Sequence, residues 1–140
     1  MKKLLPIIVL LFVAWIGWYQ TQRPSDYAGV SVDTSSLTFD ESRSGQQVEG
    51  SGTVLKVLPD DNKGSRHQKF ILQLDSGQTV LVAHNVDLAP RIPDLESGDT
   101  VEFNGQFEWN DKGGVVHWTH HDPQGRHKWG FLKHEGEMYR

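Results

Sequence analysis

Imidazole is concentrated near one end of this chain. Residues 113–127, Gly-Gly-Val-Val-His-Trp-Thr-His-His-Asp-Pro-Gln-Gly-Arg-His, hold four of the seven histidines: His117, His120, His121 and His127. Neutral imidazole is a ligand for divalent metals, and its proton moves near pH 7, so such a cluster suits metal binding or general acid–base chemistry. Cysteine is absent. That excludes a disulfide framework, a thiolate nucleophile and lipid attachment through an N-terminal cysteine, and leaves imidazole, carboxylate and water to hold any metal.

On a helix, His117, His120 and His121 would share one face at spacings of three and four. The surrounding residues argue against a helix. Gly113-Gly114 precede the histidines, the β-branched Val115, Val116 and Thr119 lie among them, and Asp122-Pro123 follow, which together favour a strand. In a strand over residues 115–121, His117 and His121 stand about 13 Å apart at ~3.3 Å per residue, and His120 faces the other way. The stretch therefore cannot hold one ion alone and needs partners from other elements.

Those elements read as strands and turns. The first strand is expected over residues 52–58, closed by the turn cluster Pro59-Asp60-Asp61-Asn62-Lys63-Gly64. The second covers residues 66–74, and the tight turn Asp75-Ser76-Gly77-Gln78 leads into the third, residues 79–84. Pro90 and Pro93 keep residues 85–98 irregular, with Leu88, Ile92 and Leu95 able to cap a core. The fourth strand, residues 100–109, alternates Val101, Phe103, Phe107 and Trp109 with polar neighbours. Residues 126–140 read as a tail packed across the domain. Five strands with an irregular connector between the third and fourth predict an all-β domain, a five-stranded OB-fold-like Greek-key barrel.

In that topology the third and fifth strands are parallel neighbours, and the second is antiparallel to the third. The end of the third strand, the end of the fifth and the start of the second then meet at one rim. Counting back from the hairpin pairs Lys69 with His84 and puts His67 on the same face. The expected rim cluster is His67, Lys69, His84, His121 and Asp122, with Asn85, Asp87 and Arg91 on the following loop as ligand-binding residues. His67, Lys69 and His84 form the expected catalytic set: two imidazoles as acid and base, and a cation for a phosphoryl oxygen. His84, His121 and Asp122 form the expected metal set, for zinc or manganese, with an open position to activate water. Glu108, Asn110 and His117 make a second group toward the other rim. The plain structural alternative has these histidines ending strands, with Trp109, Trp118 and Trp129 in the core.

Met1-Lys2-Lys3 are basic, and residues 4–19 carry no charge. Residues 1–20 are therefore expected to form a transmembrane signal-anchor helix. No small-residue pair fits a cleavage site, and Trp15, Trp18 and Tyr19 resemble an interfacial belt. Its basic end places the domain in the periplasm at a bacterial inner membrane, or makes it a secreted protein if the leader is cleaved. Residues 21–45 read as a linker and residues 46–140 as the barrel with its tail. From Gln46 onward ten Lys or Arg face fourteen Asp or Glu, a poor footing for binding a phosphate backbone through bulk charge.

Four blocks carry a family resemblance: Gly64-Ser65-Arg66-His67-Gln68-Lys69-Phe70, Ala83-His84-Asn85-Val86-Asp87-Leu88-Ala89-Pro90-Arg91, Glu108-Trp109-Asn110 and His117-Trp118-Thr119-His120-His121-Asp122-Pro123. The chain resembles a family of small proteobacterial exported or membrane-anchored proteins known only as a domain of unknown function. The likeness covers residues 46–139, implies one domain there, and brings no activity or catalytic residue with it. The residues themselves point to an envelope protein with a histidine-rich rim that binds a divalent metal, a small phosphate-bearing ligand or nucleic acid, and that hydrolyses phosphodiesters. The competing class is a non-enzymatic binding module for a peptide, a glycan or an envelope protein.

Overall fold

A computed structural model describes residues 37–140. The expected anchor helix and most of the expected linker lie outside the described residues. Among the described residues, no helix is long and apolar enough to cross a membrane.

The described chain is all-β apart from a single 3-10 turn, Glu41–Arg43, capped by the Asp40 side chain on Ser42 N–H. Seven strands follow: β1 (Gln47–Asp61), β2 (His67–Leu74), β3 (Thr79–Asn85), β4 (Thr100–Glu108), β5 (Val115–His117), β6 (Phe131–His134) and β7 (Glu137–Tyr139). The first five close a hydrogen-bonded ring in the order β1-β2-β3-β5-β4 and back to β1. β3 and β5 run parallel, and the other pairs are antiparallel.

Strict alternation builds this ring. Along β2 and β3 every second residue is buried, Gln68, Phe70, Leu72 and Leu74 facing Val80, Val82 and His84. Phe103 and Phe107 do the same on β4, and both rings meet Phe39, at centroid distances of 6.3 and 5.4 Å. Phe39 is 1% exposed, so the core reaches upstream of Gln46, where the folded domain was expected to begin.

β1 is longer than expected because it serves two partners. Its first half pairs with β4 and its second half with β2, and Gly52 sits opposite both Leu74 and Val101. A Cβ at Gly52 would lie 2.5 Å from the Gln73 carbonyl oxygen, so only glycine lets the strand pass from one partner to the other.

The C-terminal residues, expected as a tail packed across the domain, add two strands to the sheet. β6 pairs with residues 102–104 of β4, beside the stretch 106–108 that pairs with β5, and β7 folds back on β6. Leu132 is fully buried there, whereas Trp129 is 63% exposed. Trp109 is exposed too and Trp118 is half-buried, so these three tryptophans are not core residues. In the β3–β4 connector Ile92 and Leu95 are buried as expected, but Leu88 is exposed. Gln68 pins this connector like a missing strand partner: its amide donates to Ile92 O and accepts from Ile92 N–H, both at 2.9 Å.

Candidate functional site: a histidine and tryptophan cleft

The β2–β3 hairpin decides which histidines can act together. Gln78 joins the ladder, its carbonyl accepting from Leu74 N–H at 2.8 Å, so the loop has three residues, 75–77, with Gly77 at φ +89°. A four-residue loop underlies the expected pairing of Lys69 with His84. The observed partners are Gln68 with His84, Lys69 with Ala83 and His67 with Asn85. That one-residue difference moves His84 to the face opposite His67 and Lys69.

His84 is fully buried. Its Nε2–H donates to Pro90 O at 2.8 Å, and its Nδ1 accepts from the Thr119 hydroxyl at 2.7 Å. Burial pushes its pKa down to about 4. Both nitrogens are committed, so His84 offers no lone pair to a metal and no proton to a substrate. It ties β3 to the connector and to the segment leaving β5.

The fifth strand also differs from expectation. It ends at His117, because Trp118 takes φ +54° and turns the chain out of the ladder. His117, His120 and Trp118 are thereby brought beside His67 and Asn85, and with Ser65 they line one cleft of about 250 Å³. The second expected group is thus split: His117 joins His67, while the Asn110 side chain accepts from Lys112 and Gly114 N–H as a turn cap.

Two imidazoles in the cleft have the same arrangement. His67 Nδ1 contacts Ser65 O at 2.9 Å and His120 Nδ1 contacts His121 O at 2.7 Å. A carbonyl only accepts, so both rings carry their proton on Nδ1 and keep Nε2 as a lone pair when neutral. His117 is oriented differently. Its Nε2 is buried and lies 3.5 Å from Glu108 Oε1, an electrostatic partner rather than a close hydrogen bond. Burial holds the His117 pKa below its ordinary value, with Glu108 opposing. Gln106 Nε2–H, donating to Glu108 Oε1 at 2.7 Å, does most to keep that carboxyl low.

The other expected site residues are occupied elsewhere. Lys69 lines a separate cleft with residues 58–63 of the β1–β2 turn. Arg91 is ion-paired with Asp60. Asp87 accepts from Arg66 N–H and Nε–H at 2.8 and 2.9 Å, which lowers its pKa. Asp122 accepts the backbone N–H groups of Gln124, Arg126 and His127, and His121 stacks on Trp129 at 3.9 Å. The expected metal set of His84, His121 and Asp122 is therefore not assembled: one member is buried and doubly bonded, one is stacked, and one caps a turn.

Sequence reasoning missed a different trio. His134 Nε2 lies 2.9 Å from Asp99 Oδ2 and 3.9 Å from Glu135 Oε1, a candidate group for a divalent ion. Finding it required knowing that residues 131–134 form a strand beside β4. The same geometry serves a structural end, since Asp99 Oδ2 also caps Glu96 N–H at 3.1 Å.

Over residues 25–140 the chain matches the family described as "Protein of unknown function (DUF3465)", and it belongs to that family. No curated protein and no solved structure matches it.

Proposed function

We propose that the domain is an OB-like barrel acting as a binding module, and that its site is the cleft where His67, Asn85, His117 and His120 meet around Trp118. The observation that carries this reading is the convergence of three imidazoles and an amide from three separate segments on one open cleft. A phosphate oxygen can accept from the Asn85 amide and, once the rings take up a second proton, from the Nε2–H of His67 and His120, so the ligand class is a phosphate-bearing molecule that brings its own negative charge to the imidazoles. Residues 1–20 anchor the domain to a bacterial inner membrane with the cleft facing the periplasm. Protease treatment of intact and osmotically opened cells checks that placement: digestion only after the outer membrane is breached supports it.

The test of the site is titration of the full chain in mild detergent with inorganic phosphate and mononucleotides, followed by the histidine NMR signals. His67→Ala and His117→Ala should each weaken binding about tenfold, the scale of one lost charge-assisted hydrogen bond. His84→Ala is excluded as a probe because it acts through the core. Unmoved histidine signals at millimolar ligand would sink the proposal.

The Glu108–His117 pair favours a second reading, hydrolysis of a phosphodiester. His117, oriented by the carboxylate, takes a proton from water as its oxygen bonds to phosphorus, and His67 in its imidazolium form gives its Nε2 proton to the leaving oxygen as the ester P–O bond breaks. Turnover of a chromogenic phosphodiester that survives chelator and vanishes in Glu108→Gln supports it. Turnover lost to chelator and restored by zinc or manganese would instead move the chemistry to Asp99, His134 and Glu135, the residues fitted to hold such an ion.

A further inference from the structure

The cleft does not stand alone. It shares Leu88 and Trp118 with a neighbouring cleft of about 550 Å³ that continues over Pro123 and Arg126. That second cleft shares Arg126 and His127 with a third of about 530 Å³, bordered by Gln46, Gln47, Gln106 and Lys128. The three form one connected track from the start of β2, across the loop 118–130, to the beginning of β1.

We infer that this track binds an extended single-stranded nucleic acid rather than one small phosphate compound. This rests on the phosphate-binding reading of the first cleft and extends it. Arg126 and Lys128 are exposed cations on the track. Asp122 is the carboxylate among its lining residues, and its oxygens accept three backbone N–H groups. Two exposed cations against one carboxylate fit an anionic phosphate backbone, whereas an uncharged glycan gains nothing from them.

His127 fixes the middle of the track. Its ring lies parallel to Trp118 at 4.3 Å and 8°. Its Nδ1 is 2.8 Å from Lys128 O and its Nε2 is 2.5 Å from Gln106 Oε1. These two contacts fix the ring flat against the indole at the junction of two clefts. Arg126 and Lys128 outnumber Asp122 among the lining residues, so the local charge is positive although the chain's formal net charge is -4.

The experiment is fluorescence anisotropy of the full chain in detergent with labelled thymidine oligonucleotides of one, three, six and twelve residues, at several salt concentrations. Affinity should rise at least tenfold from one nucleotide to six and then level. Arg126→Ala and Lys128→Ala should remove most of that gain and flatten the salt dependence by about 0.7 per phosphate contact. His117→Ala should weaken every length, the mononucleotide included. Equal affinity for one and six nucleotides, with no effect of Arg126→Ala, overturns the track and leaves the single-cleft reading intact. Tighter binding of a sulfated hexasaccharide than of the hexanucleotide overturns the ligand class. No binding of any phosphate compound overturns both readings.

Discussion

His84 is the residue where chemistry and stability are easiest to confuse. Folded, it is neutral, with its pKa near 4 against an ordinary value of 6.5. Below pH 6.5 the unfolded chain takes up a proton that the folded chain refuses, so its stabilising contribution is present above 6.5 and is lost as pH falls toward 4. The full loss is roughly 3 kcal/mol. Urea unfolding of the full chain from pH 7.5 to 4.5 should show this decline. His84→Gln should be about 2 kcal/mol less stable at pH 7.5 but show a shallower decline; parallel curves would contradict the buried neutral imidazole. His117 provides the contrasting test. Burial lowers its pKa while Glu108 raises it, so Glu108→Gln should move its NMR titration midpoint further down. An upward shift would mean that the two side chains do not communicate.

At the scale of elements, the alternating apolar pattern made β2, β3 and β4 legible in the sequence within a residue or two, and with them the all-β class and the order of the first five strands. The hairpin loop length was not legible. Asp75-Ser76-Gly77-Gln78 accommodates a three- or a four-residue loop, and the choice sets which face every residue of β3 occupies. That His67 and Asn85 lie near one another was legible, whereas the inward turn of His84 was not. The early end of β5 was hidden for another reason: Trp118 adopts φ +54°, a conformation that no propensity assigns to tryptophan. Gly113-Gly114 did announce where β5 begins, and they set the element's geometry. At φ +101°, a Cβ on Gly114 would sit 2.2 Å from Phe107 Cε2 in the core, whereas Gly64 at φ +72° faces open space. Gly114→Ala should cost at least about 3 kcal/mol by combining backbone strain with overpacking. Gly64→Ala should cost only about 1 kcal/mol, from the left-handed conformation alone. Thermal melts of the two variants check this, and equal losses would mean that Phe107 moves aside freely.

For the molecule as a whole, the question is where the folded unit begins. Composition places residues 21–45 in a linker because Ser, Thr, Asp and Gly dominate there, and that reading overlooks one aromatic ring. Phe39 closes the core against Phe103 and Phe107, and Gln78 holds its backbone on both sides: Phe39 N–H donates to Gln78 Oε1 at 2.7 Å, and Gln78 Nε2 donates to Phe39 O at 2.8 Å. The same amide nitrogen lies 2.8 Å from Gly113 O, so one glutamine couples the N-terminal segment, the β2–β3 hairpin and the start of β5. The family match, which begins at residue 25, likewise extends upstream of Gln46. A fragment starting at residue 37 should therefore melt well above one starting at residue 46. The shorter fragment loses the buried ring, roughly 2–3 kcal/mol, and leaves the Gln78 amide short of partners, roughly 1–2 kcal/mol more. Phe39→Ala in the full chain should reproduce most of that difference, since it empties the same space and leaves the backbone bonds in place. If both fragments melt together and Phe39→Ala is silent, residues 37–45 only rest on a core that is complete without them.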